Sequence, residues 1–135
     1  MSGQAPRIVK VEQTVPAVAA AADDSISIGE APFAGTVTAV SYTAEAAVTG
    51  HGTETRTLSL VNKGQAGAGT TVVATLALLA GINLVAYDEK VITLSAVANA
   101  TTVAAGDELA WLSVHTGSTG LADPGGNVEI SISRT

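Results

Sequence analysis

Two short stretches fix the class of structure open to this chain. In RTLSLVN, Arg56 to Asn62, Leu58 and Leu60 share one face of an extended strand while Thr57 and Ser59 share the other. In NVEISIS, Asn127 to Ser133, Val128, Ile130 and Ile132 oppose Asn127, Glu129 and Ser131. Strands that bury one face only belong to antiparallel sheets, because a parallel sheet needs nearly continuous apolar strands and long helical crossovers. From Phe33 onward the chain repeats this theme in β-branched runs cut by Gly, Asn and Asp. Strands are predicted at Gly35 to Tyr42, Thr55 to Asn62, Thr70 to Leu79, Lys90 to Ser95, Glu108 to Val114 and Val128 to Ser133. The breaks between them include GQAGAG at Gly64 to Gly69 and GSTGLADPGG at Gly117 to Gly126. Six or more short strands suit two packed antiparallel sheets about 10 Å apart. Residues 31–135 are therefore expected to form an all-β domain, an antiparallel β-sandwich. A jelly-roll-like course is favoured, while an immunoglobulin-like arrangement or a closed barrel would give much the same pattern.

Residues 1–30 differ in character. Pro6 and Pro16 block a continuous ladder or helix, and the four alanines Ala19 to Ala22 are too few for an independent helix. The segment reads as an extended N-terminal arm, or else as a tail without fixed structure. Ile8, Val9 and Val11 favour the arm, since they offer apolar atoms to anchor on a neighbouring subunit or an underlying surface. No secretory leader is expected, as the basic start runs into Asp23 and Asp24 without a long leucine-rich core. No membrane-spanning helix is expected either, because the longest apolar run, Val72 to Tyr87, is broken by Thr75, Gly81 and Asn83.

Charge narrows the partners. Six Lys or Arg against twelve Asp or Glu give a net charge of −6, whereas nucleic-acid binding needs a concentrated basic surface. Only 13% of the 135 residues are charged, so much of the surface must consist of Thr, Ser, Ala and Gly. Some of that surface is expected to be covered by partners.

Candidate chemistry is sparse. With no cysteine there is no disulfide and no thiolate ligand or nucleophile, and His51 and His115 lie outside any metal-binding spacing. The acidic pairs Asp23-Asp24, Asp88-Glu89 and Asp107-Glu108 project to opposite faces when extended, and so suit turns better than paired acid and base catalysis. Asp107 is expected to accept local backbone N–H bonds in the turn before Leu109. NKGQAGAGTT lacks the spacing of a phosphate loop and reads as an inter-strand connection. No catalytic residue, metal or cofactor is expected. Trp111, between Ala110 and Leu112, reads as core or subunit interface, and Leu84, Val85 and Tyr87 as a partner-facing loop. Leu84, Tyr87 and Trp111 are thus the interface candidates.

From Pro32 onward, PFAGTVTAVSYTAEAAVTG, TRTLSLVNKG, GAGTTVVATL and VAAGDELAWLS occur in order, followed by GLADPGG and VEI on either side of Asn127. In these pieces, about three-quarters of the chain, the sequence resembles small decoration (cement) or head-fiber proteins of tailed bacteriophages, particularly those infecting actinobacteria. The resemblance implies a non-enzymatic structural protein of the virion, a homotrimer on the outer surface of an icosahedral capsid that stabilises contacts of the major capsid protein. It assigns no individual capsid contact and brings no catalytic residue. The alternative is a carbohydrate-binding, adhesin-like module displayed on a virion, which would need an exposed aromatic platform at Trp111 or Tyr87.

Overall fold

The computed structural model describes residues 7–135, and the first six residues of the expected arm lie outside them. The described residues form ten strands: β1 (Ile8–Val15), β2 (Asp24–Glu30), β3 (Gly35–Ala44), β4 (Thr55–Gly64), β5 (Thr71–Ala77), β6 (Glu89–Val91), β7 (Thr93–Leu94), β8 (Thr102–Val103), β9 (Glu108–Thr116) and β10 (Gly126–Arg134). They make two antiparallel sheets. The first runs β1-β10-β3-β6, with β8 also on β3, and the second runs β2-β9-β4-β5-β7.

Alternation explains which side chains meet between the sheets. Val37, Val40 and Tyr42 of β3 and Val128, Ile130 and Ile132 of β10 face Leu58 and Leu60 of β4 and Leu109 and Trp111 of β9, all buried in one core. Each aliphatic side chain fully buried there is worth about 1.5–3 kcal/mol. The rings of Tyr42 and Trp111 meet across the two sheets with centroids 5.4 Å apart and planes tilted by 41°. Arg134 lies over the Phe33 ring, 4.6 Å from its centroid, and so helps close the end where β10 finishes.

Five of the six predicted strands are present, and the sixth is corrected. Lys90 to Ser95 is not a single strand. The chain changes sheets at Ile92, so that β6 pairs with β3 and β7 with β5. Ile92 is buried at the crossing and its N–H donates to Val40 O at 2.9 Å. The corner closes one side of the sandwich.

The larger correction concerns residues 1–30. From Ile8 on the segment is extended, and that described part is built into both sheets and does not stand apart from them. β1 pairs with β10 over its whole length, from Ile8 opposite Ser133 to Val15 opposite Gly126. β2 pairs with β9 from Asp24 opposite Ser113 to Glu30 opposite Glu108. Between them Pro16 sits at the turn after β1, where its missing N–H breaks no ladder. Val9 and Val11 point inward and pack on the chain's own core, as does Ile26, and Val15 and Ile28 are part of it. Of the three anchoring candidates only Ile8 is directed outward, with 62% of its surface exposed.

Candidate functional site

The outward faces of the two sheets differ in chemistry. On the first sheet Lys10, Glu12, Glu129 and Glu89 stand among serines and threonines, and Lys10 Nζ lies 2.9 Å from Glu129 Oε1. The hydrogen bond from Lys10 holds the Glu129 carboxyl below its usual range, while Glu12, opposite Glu129 and sharing a hydrogen bond with it, is pushed up.

The second sheet presents three cross-strand rows outward. Val114, Thr57 and Ala77 form one; Ser25, Leu112, Ser59 and Thr75 the next; Ser27, Ala110, Val61 and Val72 the third. These eleven residues include no ionisable side chain. Val114, Leu112, Ala110, Val61 and Val72 are contiguous, and Ala77 stands apart from them beside Thr57 and Thr75. Ala110 and Val61 are already buried by their neighbours although they lie outside the core, while 41% of Val72 is exposed. Two of the polar members, Ser59 and Thr75, bond to each other along the surface, Ser59 Oγ to Thr75 Oγ1 at 2.8 Å. Glu108, bonded by Ser27 Oγ, marks the rim. In a chain of net charge −6 this face is where another surface can approach without displacing water from a charge.

A buried polar network holds the sandwich at one end. Arg56 is fully buried on β4 and donates five hydrogen bonds: Nε to Leu121 O at 2.5 Å, Nη1 to Ser113 Oγ at 3.0 Å, and Nη2 to the carbonyls of Ala19, Ala20 and Ala22 at 2.9, 3.2 and 2.9 Å. Ser113 Oγ in turn donates to Asp123 Oδ2 at 2.7 Å. Asp123 Oδ1 accepts from Tyr42 OH at 2.5 Å and from the Gly125 N–H at 3.0 Å. Burial, and secondly the carboxylate beside it, push the Tyr42 hydroxyl's pKa far up, so it stays a donor. The small, partly open cavity next to this network, between Trp111 and Asp123, measures about 10 Å³ and admits nothing larger than a water. The cluster therefore works as a tie between the β1–β2 turn, both sheets and the β9–β10 loop. Trp111 Nε1 is a buried donor without a partner among the described residues.

The sequence candidates for chemistry are placed as structural groups. His51 Nδ1 accepts the N–H groups of Thr53 and Glu54, at 3.1 and 2.9 Å, within its own turn. His115 Nδ1 lies 2.7 Å from Asp23 Oδ1. Among the described residues no group of three or more His, Cys, Asp or Glu side chains could hold a metal. Asp107 behaves as expected, its Oδ2 accepting the Ala104 N–H at 2.8 Å and the Asn62 amide at 3.0 Å.

Glu54 carries a signal that sequence order hides. Its carboxylate takes the N–H groups of Ser118, Thr119 and Gly120 at 3.3, 3.1 and 2.8 Å and the Ser118 hydroxyl at 2.9 Å. Gly117, at φ 100°, lets the loop wrap so closely, since a Cβ there would stand 2.0 Å from Glu54 Oε2. The backbone N–H bonds of Gly120 and Thr119, foremost, pull its pKa from the usual 4.5 to about 2. Between those values the unfolded chain binds more protons than the folded one, so this contribution is complete above pH 4.5 and declines as pH falls toward 2. The denaturation midpoint is therefore expected to drop less between about pH 5 and about pH 2.5 in Glu54→Gln than in the parent chain. Equal drops would contradict the assignment.

The interface candidates divide. Leu84 and Trp111 are 3% and 2% exposed and belong to the chain's own core, so neither offers a contact surface. Trp111 alternates inward with Leu109 on β9, and Leu84 is tied down by reciprocal hydrogen bonds with Val48. Tyr87, 78% exposed, stands on the surface at the end of the first sheet. Comparison with known proteins gives no match: neither a family model, nor a curated protein, nor a solved structure corresponds to this chain.

Proposed function

We propose that the chain is a structural virion protein: a jelly-roll-like sandwich that associates as a trimer and sits on the outer surface of an icosahedral capsid as a decoration or cement protein. The observation that carries this reading is the charge-free outward face of the second sheet on an otherwise acidic chain. Acidic copies repel one another except where no charge is presented, so this face is the natural contact between copies and with the capsid. The pairs β1·β10, β2·β9, β3·β6 and β4·β5 nest like one long hairpin rolled over two sheets, which supports the jelly-roll course. That course serves capsid and lectin domains alike, so the argument for function rests on the face and not on the fold.

Cement action follows from linkage. A trimer that touches several major-capsid subunits binds the assembled lattice through several contacts at once and favours it over separated subunits. With residues 8–30 integrated into the sheets, shell contacts of the described residues fall to the faces and loops, and Ile8 is the one anchoring candidate still available at the surface.

The test is reconstitution. Heads purified without the protein are mixed with the full chain, sedimented and scored for bound copies and for resistance to heat. Saturable binding in multiples of three, with a raised disruption temperature, is expected. Heads that neither retain the chain nor gain resistance would overturn the reading.

A further inference from the structure

The outward face of the first sheet carries a second feature, independent of the assembly reading. Tyr87 occupies the second central position of the Val85–Asp88 turn, closed by the Asp88 N–H on Val85 O at 3.2 Å, and has φ 60°. Glycine or asparagine suits that position, and a bulky aromatic residue there is strained. The strain is not offset by burial, because the ring is 78% exposed. Its backbone is fixed by the Tyr87 N–H on Ala44 O at 2.8 Å. The ring borders an open groove of about 190 Å³ lined by Thr14, Thr43, Glu45, Gly126 and Asn127. Thr14, Asn127 and Thr43 lie directly opposite one another on β1, β10 and β3, so each strand contributes one polar side chain to a single row. Among the described residues, the side chains of Thr14, Thr43, Glu45 and Asn127 make no hydrogen bond to one another or to the rest of the chain.

We propose that this groove is a subsite for a neutral saccharide, with the apolar face of a pyranose ring stacked on Tyr87 and its hydroxyls bonded by Asn127, Glu45 and the two threonines. An amide, a carboxylate and two hydroxyls beside one exposed ring supply the donors and acceptors that a polyhydroxy ligand uses. Anionic ligands are disfavoured, since the groove holds Glu45, is flanked by Glu89 opposite Thr43, and is lined by no cation. A quaternary ammonium group could use the ring but would leave the amide and hydroxyls without partners.

The test is an NMR titration of the ¹⁵N-labelled full chain with maltose, cellobiose, lactose and N,N′-diacetylchitobiose, and with 3′-sialyllactose as the anionic arm, each up to tens of millimolar. At least one neutral sugar is expected to shift the Asn127 side-chain amide and the Gly126 and Thr43 backbone amides. Tyr87→Asn should weaken that binding at least tenfold while raising the melting temperature, and Tyr87→Phe should retain it. The opposed effects of Tyr87→Asn separate a lost ligand contact from a damaged fold. Silence of these amides with every neutral sugar, a response to sialyllactose alone, or binding that survives Tyr87→Asn would each overturn the proposal.

Discussion

Arg56→Met is expected to unfold the chain far more easily than any surface substitution, with a loss of about 3–5 kcal/mol and a melting temperature lower by roughly 10–20 °C. Methionine fills much of the same volume, so the loss comes from polarity and not from a cavity. Four partly buried backbone carbonyls, of Ala19, Ala20, Ala22 and Leu121, lose the donor that a fully buried side chain brings them, and Asp123 loses the cation that balances it through Ser113. The tie between the β1–β2 turn and the loop before β10 is lost with them. Asp123→Asn is a milder change: the amide oxygen still accepts from Tyr42 or Gly125, and only the charge and one acceptor are removed. Urea melts of the two variants check the order. A loss below about 1 kcal/mol for Arg56→Met would show that the network does not hold the sheets together.

Leu112→Glu should act on assembly and leave the fold intact. Leu112 lies mid-row on the charge-free face, between Ser25 and Ser59, and its side chain points away from the core. A carboxylate there remains solvated in a single copy and costs the domain little. In an assembly it would be desolvated without a cation nearby, at about 3 kcal/mol or more per site, which weakens association by a factor above 100. Sedimentation velocity is expected to show monomers at concentrations where the parent chain is associated, with circular dichroism and melting temperature little changed. A control change on the opposite face, Ser131→Glu, should leave the association as it was.

The extent to which the sequence announces these features follows from physics. Leu58 with Leu60, and Val128 with Ile130 and Ile132, alternate without interruption, and those strands lie where the pattern puts them. Ser25-Ile26-Ser27-Ile28 alternates just as clearly, yet the prolines and alanines around it draw attention to a separate arm. The pairing that makes β1 and β2 integral comes from β10 and β9, at the far end of the chain. The sheet switch at Ile92 is invisible for the same reason: it depends on which edges are free. Arg56 and Asp123 are residue types found mostly at surfaces, so their burial is legible only once Ser113 and Tyr42 are seen between them. The charge-free face is half legible. The outward residues of each strand, such as Thr57 and Ser59, are readable one strand at a time, but their union into one surface requires the order β2-β9-β4-β5. Tyr87 stands on an exposed loop as anticipated, whereas its positive φ and its groove are products of the folded turn.

On the function proposed, the uncharged face of the second sheet joins copies of this chain. Light scattering coupled to size-exclusion chromatography of the unmodified protein, repeated over a hundredfold range of concentration, reads it directly. The expected mass is about 40 kDa, three times the 13.3 kDa of one chain. A single species of 13.3 kDa at every concentration would contradict it.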